Sequence, residues 1–321
     1  MSILKKNILL LKDVIQTPIV YVAAHLLRHL RQFGIDRSPL CKSILMNVGV
    51  FPILNHYYEP QFDGRMLSLT TRGESCIPGV DFNRDEQLSL LRNLSFSEEL
   101  IHNKSFFIND IAFSIDNGNF ESGDAEYWYN FIRFKKPSKI IEIGSGYSTL
   151  LARMAINKNI EEMDYKCEHI CIEPYEMPWL EASGVNVIRK KAEDMGSEFF
   201  SILGENDILF IDSSHIIRPQ GDVLFTILKL LPTLSSGVIV HFHDIFSPRD
   251  YPREWLVDFV RFWNEQYLLE AFLSCNASWK IIGAINYLFH NNYDELKGIC
   301  HFLTKDREPG SFYIQKVNKI S

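Results

Sequence analysis

Residues 139–154 read KIIEIGSGYSTLLARM. Ile140, Ile141 and Ile143 form the short apolar run that a parallel strand buried on both faces presents. The run breaks at Gly144-Ser145-Gly146, and apolar residues return at helical spacing at Leu150, Leu151 and Met154. Strand, glycine turn and helix in that order make the ligand-side turn of a doubly wound α/β sheet. Glu142 is the distinguishing residue. A carboxylate inside the strand, two residues ahead of the first glycine, repels a pyrophosphate and suits a cationic ligand.

The E-x-G-x-G pattern at Glu142, Gly144 and Gly146 is similar to the first motif of class I S-adenosylmethionine (SAM) methyltransferases. The resemblance implies that the glycines let the backbone approach the amino-acid end of SAM. It also implies that Glu142 lies under the loop and organises it, often through water.

Composition narrows the reading. At 321 residues, with 46% hydrophobic and 23% charged side chains, the chain is long enough and apolar enough for a sizeable core. A formal charge of −7 argues against general nucleic-acid binding. The six cysteines are scattered without zinc spacing, which points to reduced thiols and a cytoplasmic protein. The apolar run 17–27 is too short to span a bilayer, so no transmembrane segment is expected. Lys5, Lys6, Lys12, Arg28 and Arg31 make this end basic, so a peripheral interfacial helix is a minor alternative to an ordinary packed one.

Residues 1–50 read as amphipathic helix punctuated by Gly34 and Pro39, and residues 51–120 as less regular, with one helix over 84–94. The division is an N-terminal, mainly helical cap at 1–120 and a methyltransferase domain at 121–321. His56, Tyr57, Tyr58 and Glu59 are candidates for acceptor contact from the cap, against a reading as a packed aromatic loop. A helix capped by Ser122 or Asp124 and stopped by Pro137 delivers the chain to the central strand. Asp116, Asn117 and Tyr127 near its start are candidates to reach a cofactor. Strands over 169–173, 185–189, 207–212 and 237–244 then alternate with helices over 176–183, 194–203, 221–231 and 253–273. Such alternation builds a parallel sheet covered on both faces. Strands over 279–284 and 311–317 close the chain. The resemblance to class I methyltransferases covers roughly residues 120–318. It implies a Rossmann-like, mostly parallel seven-stranded sheet with an antiparallel edge pair.

In such a sheet ligands sit outside the carboxyl ends of the strands. Strand one offers Glu142, Gly144, Ser145 and Gly146. Strand two ends in Glu173, 31 residues after Glu142, where a carboxylate can accept both hydroxyls of a ribose diol. Pro174 or Tyr175 could cover an adenine. After strand three, Lys191 stands where the family often has an acid, leaving backbone at Ala192 or the side chain of Glu193 for the adenine edge. Strand four ends in Asp212, with His215 close behind. Strand five ends in His241-Phe242-His243-Asp244. Asp212 with Asp244 resembles the magnesium site of catechol-type and sugar O-methyltransferases, with His243 where an Asp often stands. This implies a divalent metal, magnesium or manganese, held by Asp212, His243 and Asp244. The competing reading needs no metal: His215 or His243, oriented by Asp212 or Asp244, takes the acceptor proton. His241 reads as a packing residue. Arg249, Asp250, Tyr251 and Arg253 could wall an acceptor pocket.

The expected activity is SAM-dependent O-methylation of a small hydroxylated acceptor, such as a sugar or glycan intermediate. An NAD(P)-dependent oxidoreductase ranks second, because the GSGYST turn lacks a third glycine and Glu142 opposes a pyrophosphate. A SAM-binding scaffold without turnover ranks third.

Overall fold

The computed structural model describes residues 3–64, 67, 73–103 and 105–317. One unit takes in Met1–Ser68 and Leu256–Phe262. In it α1 (Ile3–Phe33) runs through Pro18 to Gly34, whose φ of 104° ends the helix. A 3-10 turn at Ile35–Arg37 follows, and Pro39 opens α2 (Pro39–Val48). The run 17–27 belongs to one continuous helix, whose stretch Lys5–Phe33 by length and composition alone meets the criteria for a membrane span. The expectation of an ordinary packed helix is corrected: Leu27, Leu30 and Arg31 are half-buried, and the rest of residues 5–33 are exposed. Glu59 is engaged within this unit by both arms of Arg31, at 2.6 and 2.8 Å, while Tyr57 and Tyr58 stand in solvent.

The other unit takes in Leu69–Trp255 and Trp263–Ser321. It opens with α3 (Arg84–Leu91) and α4 (Ser97–Ile101). A hairpin of β1 (Ser105–Ile108) and β2 (Ile111–Ser114) lies where the sequence reads as irregular. Its turn residues Asn109 and Asp110 both have positive φ, the geometry that matches the strand twist.

The helix α5 (Asp124–Lys135) is buried along nearly its whole length, including Tyr127, Trp128, Tyr129 and Phe131. A helix buried on nearly all sides has to be sandwiched, its buried Asp124, Glu126, Asn130 and Arg133 hydrogen-bonded, and α5 packs against α6 (Tyr147–Glu162) beside the sheet. Ser122 does not cap α5. Glu126 in its first turn accepts the Gly123 N–H and the Ser122 hydroxyl, each at 2.7 Å.

The sheet strands are β3 (Lys139–Ile143), β4 (Glu168–Ile172), β5 (Asn186–Ile188), β6 (Ile208–Ile211), β7 (Ile239–Phe242), β8 (Trp279–Ala284) and β9 (Phe312–Lys316). Their order is β5-β4-β3-β6-β7-β9-β8, parallel throughout except for β9, which is antiparallel to both neighbours. The seven-stranded, mostly parallel sheet is therefore present, with its switch point beside β3. Ile140 packs into the core shared with α5 and α6, while Ile141 and Ile143 enter the core on the opposite face. Strand alternation then turns Glu142 toward α6.

The crossovers are tighter than the expected helices. Residues 176–183 and 194–203 hold 3-10 turns rather than α-helix. The 221–231 helix begins as α7 (Asp222–Leu224) and widens into a π-helix over Phe225–Leu230. The 253–273 helix is interrupted: a π turn at Glu254–Asp258 precedes α8 (Glu265–Leu273). The break has a local cause, because the Asn264 and Glu265 N–H groups donate to the His215 carbonyl at 3.0 and 3.2 Å. Two short helices, α9 (Ile285–Asn291) and α10 (Tyr293–Lys297), lead to β9.

Candidate active site

The glycine turn is held from below by side chains. Gly144 has φ 78°, and a Cβ there would stand 1.8 Å from the Asp212 carbonyl oxygen, so the β3 and β6 backbones meet only because Gly144 has no side chain. Gly146 donates its N–H to Thr149 Oγ1 at 3.1 Å, and the Thr149 hydroxyl donates to Glu142. The second Glu142 oxygen lies 2.8 Å from His169 Nε2 on β4. Glu142 thus organises the loop through the Thr149 hydroxyl.

Above the turn a cavity of about 780 Å³ opens at the carboxyl ends of β3, β4 and β6. That lies within the ~300–1,000 Å³ of ordinary small-ligand sites. Gly144, Ser145, Gly146, Glu173, Ala192 and Asp212 all line it. Glu173 Oε1 accepts the Tyr175 and Glu176 N–H groups, each at 2.9 Å, and Oε2 accepts the Ser145 N–H at 3.3 Å. A carboxylate has about four acceptor sites, so Oε2 retains capacity toward the cavity. Pro174, Tyr175, Lys191 and Glu193 also reach the wall.

Asn119 and Phe120 line the cavity instead of the nearby residues singled out from sequence. Asn117 closes its own loop, bonding Ser114, Asn119 and Phe120. Tyr127 is fully buried against Phe131 and Tyr313.

Beyond Asp212 two imidazoles sit among four carboxylates. His215 Nε2 is 3.2 Å from Asp212 Oδ1 and 3.7 Å from Asp244 Oδ2. Its Nδ1 is 2.9 Å from Glu265 Oε2. His243 Nδ1 lies 3.5 Å from both Asp212 and Asp244, and Nε2 lies 3.5 Å from Asp124. Among the described residues neither His243 nitrogen makes a hydrogen bond. Asp124 is anchored by the Gly310 and Ser311 N–H groups.

Burial opposes charge on His215, but hydrogen bonds to Asp212 and Glu265 raise its pKa to about 10. Burial likewise opposes charge on His243, and Asp244 and Asp212 raise it well above the ordinary value. Burial resists ionisation of Asp212 too, yet His243 and His215 hold its carboxyl well below the usual range. For Asp244 and Glu265 burial wins, and both carboxyl pKa values go up. His241 stands apart: it stacks on Tyr313 at 4.0 Å, bonds Ser311 Oγ, and is pushed down by burial and by His243.

Of the metal triad named from sequence, Asp212, His243 and Asp244, the His243 Nδ1 lies 3.5 Å from each carboxylate. Donor atoms of Asp212, His215 and Asp244 lie within 4.8 Å of one another, as do those of Glu142, His169 and Cys171. Glu265 and Asp124, which orient the two imidazoles, were not foreseen as site residues. No local pattern marks Glu265, which is 50 residues from His215 and meets it only through the interruption before α8. Tyr251 is buried, with its hydroxyl accepting the Gln266 N–H, so it supports the α8 start.

The strand order, the acid beneath a glycine turn and the cavity above it define a class I methyltransferase architecture. Residues 141–245 match the family described as a methyltransferase domain. An uncharacterized protein of Archaeoglobus fulgidus is 30% identical over 196 residues, spanning 56% of this chain and 84% of that protein. The solved O-methyltransferase from Bacillus cereus in complex with SAH is 11% identical, covering 72% of this chain and 91% of that one, with a TM-score of 0.39. The plantazolicin methyltransferase BpumL, solved with a substrate analog and SAH, is 15% identical and covers 74% of this chain and all of that one, with a TM-score of 0.37. Residues 141–245 are thus assigned to a methyltransferase domain by the family match. The nicotinamide oxidoreductase reading gives way to this assignment.

Proposed function

We propose that the protein transfers the methyl group of SAM to a hydroxyl oxygen of a small acceptor, such as a sugar or glycan intermediate, in the cytoplasm. The observation that carries the reading is the lining of the cavity: a glycine turn, Glu173 and an ionised Asp212 around one space. Gly144, Ser145 and Gly146 face the amino-acid end of SAM. Glu173 Oε2 takes the ribose hydroxyls. Backbone at Ala192 borders the adenine, and Asp212 favours the positive sulfonium. Six unpaired cysteines agree with a reducing compartment.

Methyl transfer from a sulfonium needs an aligned acceptor oxygen and a destination for its proton. His215 and His243, held protonated by their carboxylates, are poor bases at neutral pH. Asp244, whose carboxyl pKa burial raises, is the better proton acceptor. The imidazoliums keep the neighbouring carboxylates charged and in place.

If a divalent cation displaces the Nε2 proton of His215, the donors of Asp212, His215 and Asp244 fit it, because Glu265 fixes His215 with Nε2 turned toward both carboxylates. One nitrogen and two carboxylates suit manganese better than magnesium. When bound, such an ion lowers the pKa of an acceptor hydroxyl and orients it.

The test is transfer of labelled methyl from SAM to a panel of hydroxylated acceptors, run with manganese, with magnesium and with EDTA. Product from at least one sugar or polyol supports the reading. SAM binding without product from any acceptor supports the scaffold instead.

A further inference from the structure

We propose that α1 lies in the plane of an anionic membrane surface and docks the enzyme there. The helix leaves its apolar side chains uncovered: Leu10, Leu11, Val14, Ile15, Ile19 and Val22 are all more than half exposed. Over its first half, at 100° per residue, Ile8, Leu11, Val14 and Ile15 share one side with Asn7, and Lys5, Lys12, Asp13 and Gln16 share the other with Leu9. Beyond Pro18 the turn Ile19–Ala24 is apolar all round.

Charge names the partner. Residues 1–50 carry seven Lys and Arg against two Asp and no Glu, in a chain whose net charge is −7. The basic surplus is thus confined to the segment that exposes the apolar side chains. An amphipathic helix with basic residues around an exposed apolar face is suited to an interface rich in acidic phospholipid. A second copy of this segment would bring like charge against like.

The helix lies along the surface rather than across it. The run free of Lys, Arg, Asp and Glu, residues 14–27, is shorter than the ~20 residues a span needs. Extending it toward the N-terminus would carry Lys12 and Asp13 into hydrocarbon.

The experiment is flotation of the full chain with phosphatidylcholine vesicles, with and without phosphatidylglycerol, at low and high sodium chloride. The expected result is flotation with the anionic vesicles, lost at high salt and at least about tenfold weaker without phosphatidylglycerol. The double variant Lys6→Glu/Lys12→Glu should bind at least about tenfold more weakly, and Leu11→Glu/Ile15→Glu should not float. Both pairs are exposed, so both variants should keep the wild-type circular dichroism and SAM affinity. Flotation that ignores lipid charge and salt would overturn the proposal in favour of a spanning helix. Absence of flotation would overturn it too, and a concentration-dependent dimer lost in Leu11→Glu/Ile15→Glu would then identify a second copy as the cover.

Discussion

His215 and Glu265 are joined twice. The imidazole Nδ1 lies 2.9 Å from the Glu265 carboxylate, and the Glu265 N–H donates to the His215 carbonyl at 3.2 Å. The ring is thereby fixed with Nε2 between Asp212 and Asp244. Replacing Glu265 by Gln keeps the shape and removes the charge. Outer partners of this kind are worth about 10–100-fold in metal affinity or activity. Manganese affinity, measured by calorimetry or electron paramagnetic resonance, should fall by about that factor. Unchanged affinity would mean that His215 is not a ligand.

The two glycines of the turn should respond differently. A Cβ at Gly144 meets the Asp212 carbonyl at 1.8 Å, on a backbone with φ 78°. Gly144→Ala should therefore separate the ends of β3 and β6, costing several kcal/mol or about that much in SAM affinity. A Cβ at Gly146 meets only Met177 Cε, at an ordinary 3.5 Å. Gly146→Ala should unfold within about 1 kcal/mol of wild type. Chemical denaturation of the pair checks both.

Thr149 connects the loop to the acid beneath it, accepting the Gly146 N–H and donating to Glu142. Thr149→Val keeps the volume and removes the partner of the buried Glu142 Oε2 and of the half-buried Gly146 N–H. SAM affinity should drop by roughly tenfold, in line with about 1–3 kcal/mol for an unsatisfied buried group. Calorimetry of a variant with wild-type circular dichroism reads this directly.

Away from the site, Arg133 is fully buried and spans Glu99 at 2.8 Å and Glu162 at 2.5 Å, with its guanidinium over Phe96. Arg133→Met should cost about 1–3 kcal/mol, because the buried hydrogen bonds of the guanidinium are lost while the two carboxylates keep partial access to water. Burial works against ionised Glu99, but Arg133 and Tyr129 lower its pKa below the ordinary 4.5. A carboxyl lowered in the folded state stabilises above its unfolded pKa, and that contribution is lost as pH falls through the folded value. The wild-type Tm should therefore fall more steeply than that of Arg133→Met as the pH drops below about 4.5.

The sheet was legible because its strands are short, continuous apolar runs separated by helical or turn segments, and four of the six chain-consecutive pairs (β3–β4, β4–β5, β6–β7 and β8–β9) are adjacent in it. The placement of Glu173, Asp212 and Asp244 was legible because the carboxyl ends of parallel strands share one edge, with Glu142 inside β3 beneath that edge. Contacts that arise only in three dimensions were not. Spacing alone could not show that both His215 and His243 reach the two aspartates, nor that Glu265 would hold the His215 ring. The hairpin carried a readable signal, Asn109-Asp110 between SFFI and IAFS, hidden by the polar and aromatic mixture around it. The exposure of α1 was misjudged because periodicity reveals an apolar face and not what covers it.

The most direct test of the account is titration of the purified full chain with SAM by calorimetry, beside Glu173→Ala. The account predicts saturable binding by wild type and a loss of about 10–100-fold on substitution, the worth of about 1.5–3 kcal/mol for hydrogen bonds to a charged group. Folded wild-type protein that binds no SAM, or binds it equally well without the Glu173 carboxylate, would contradict it.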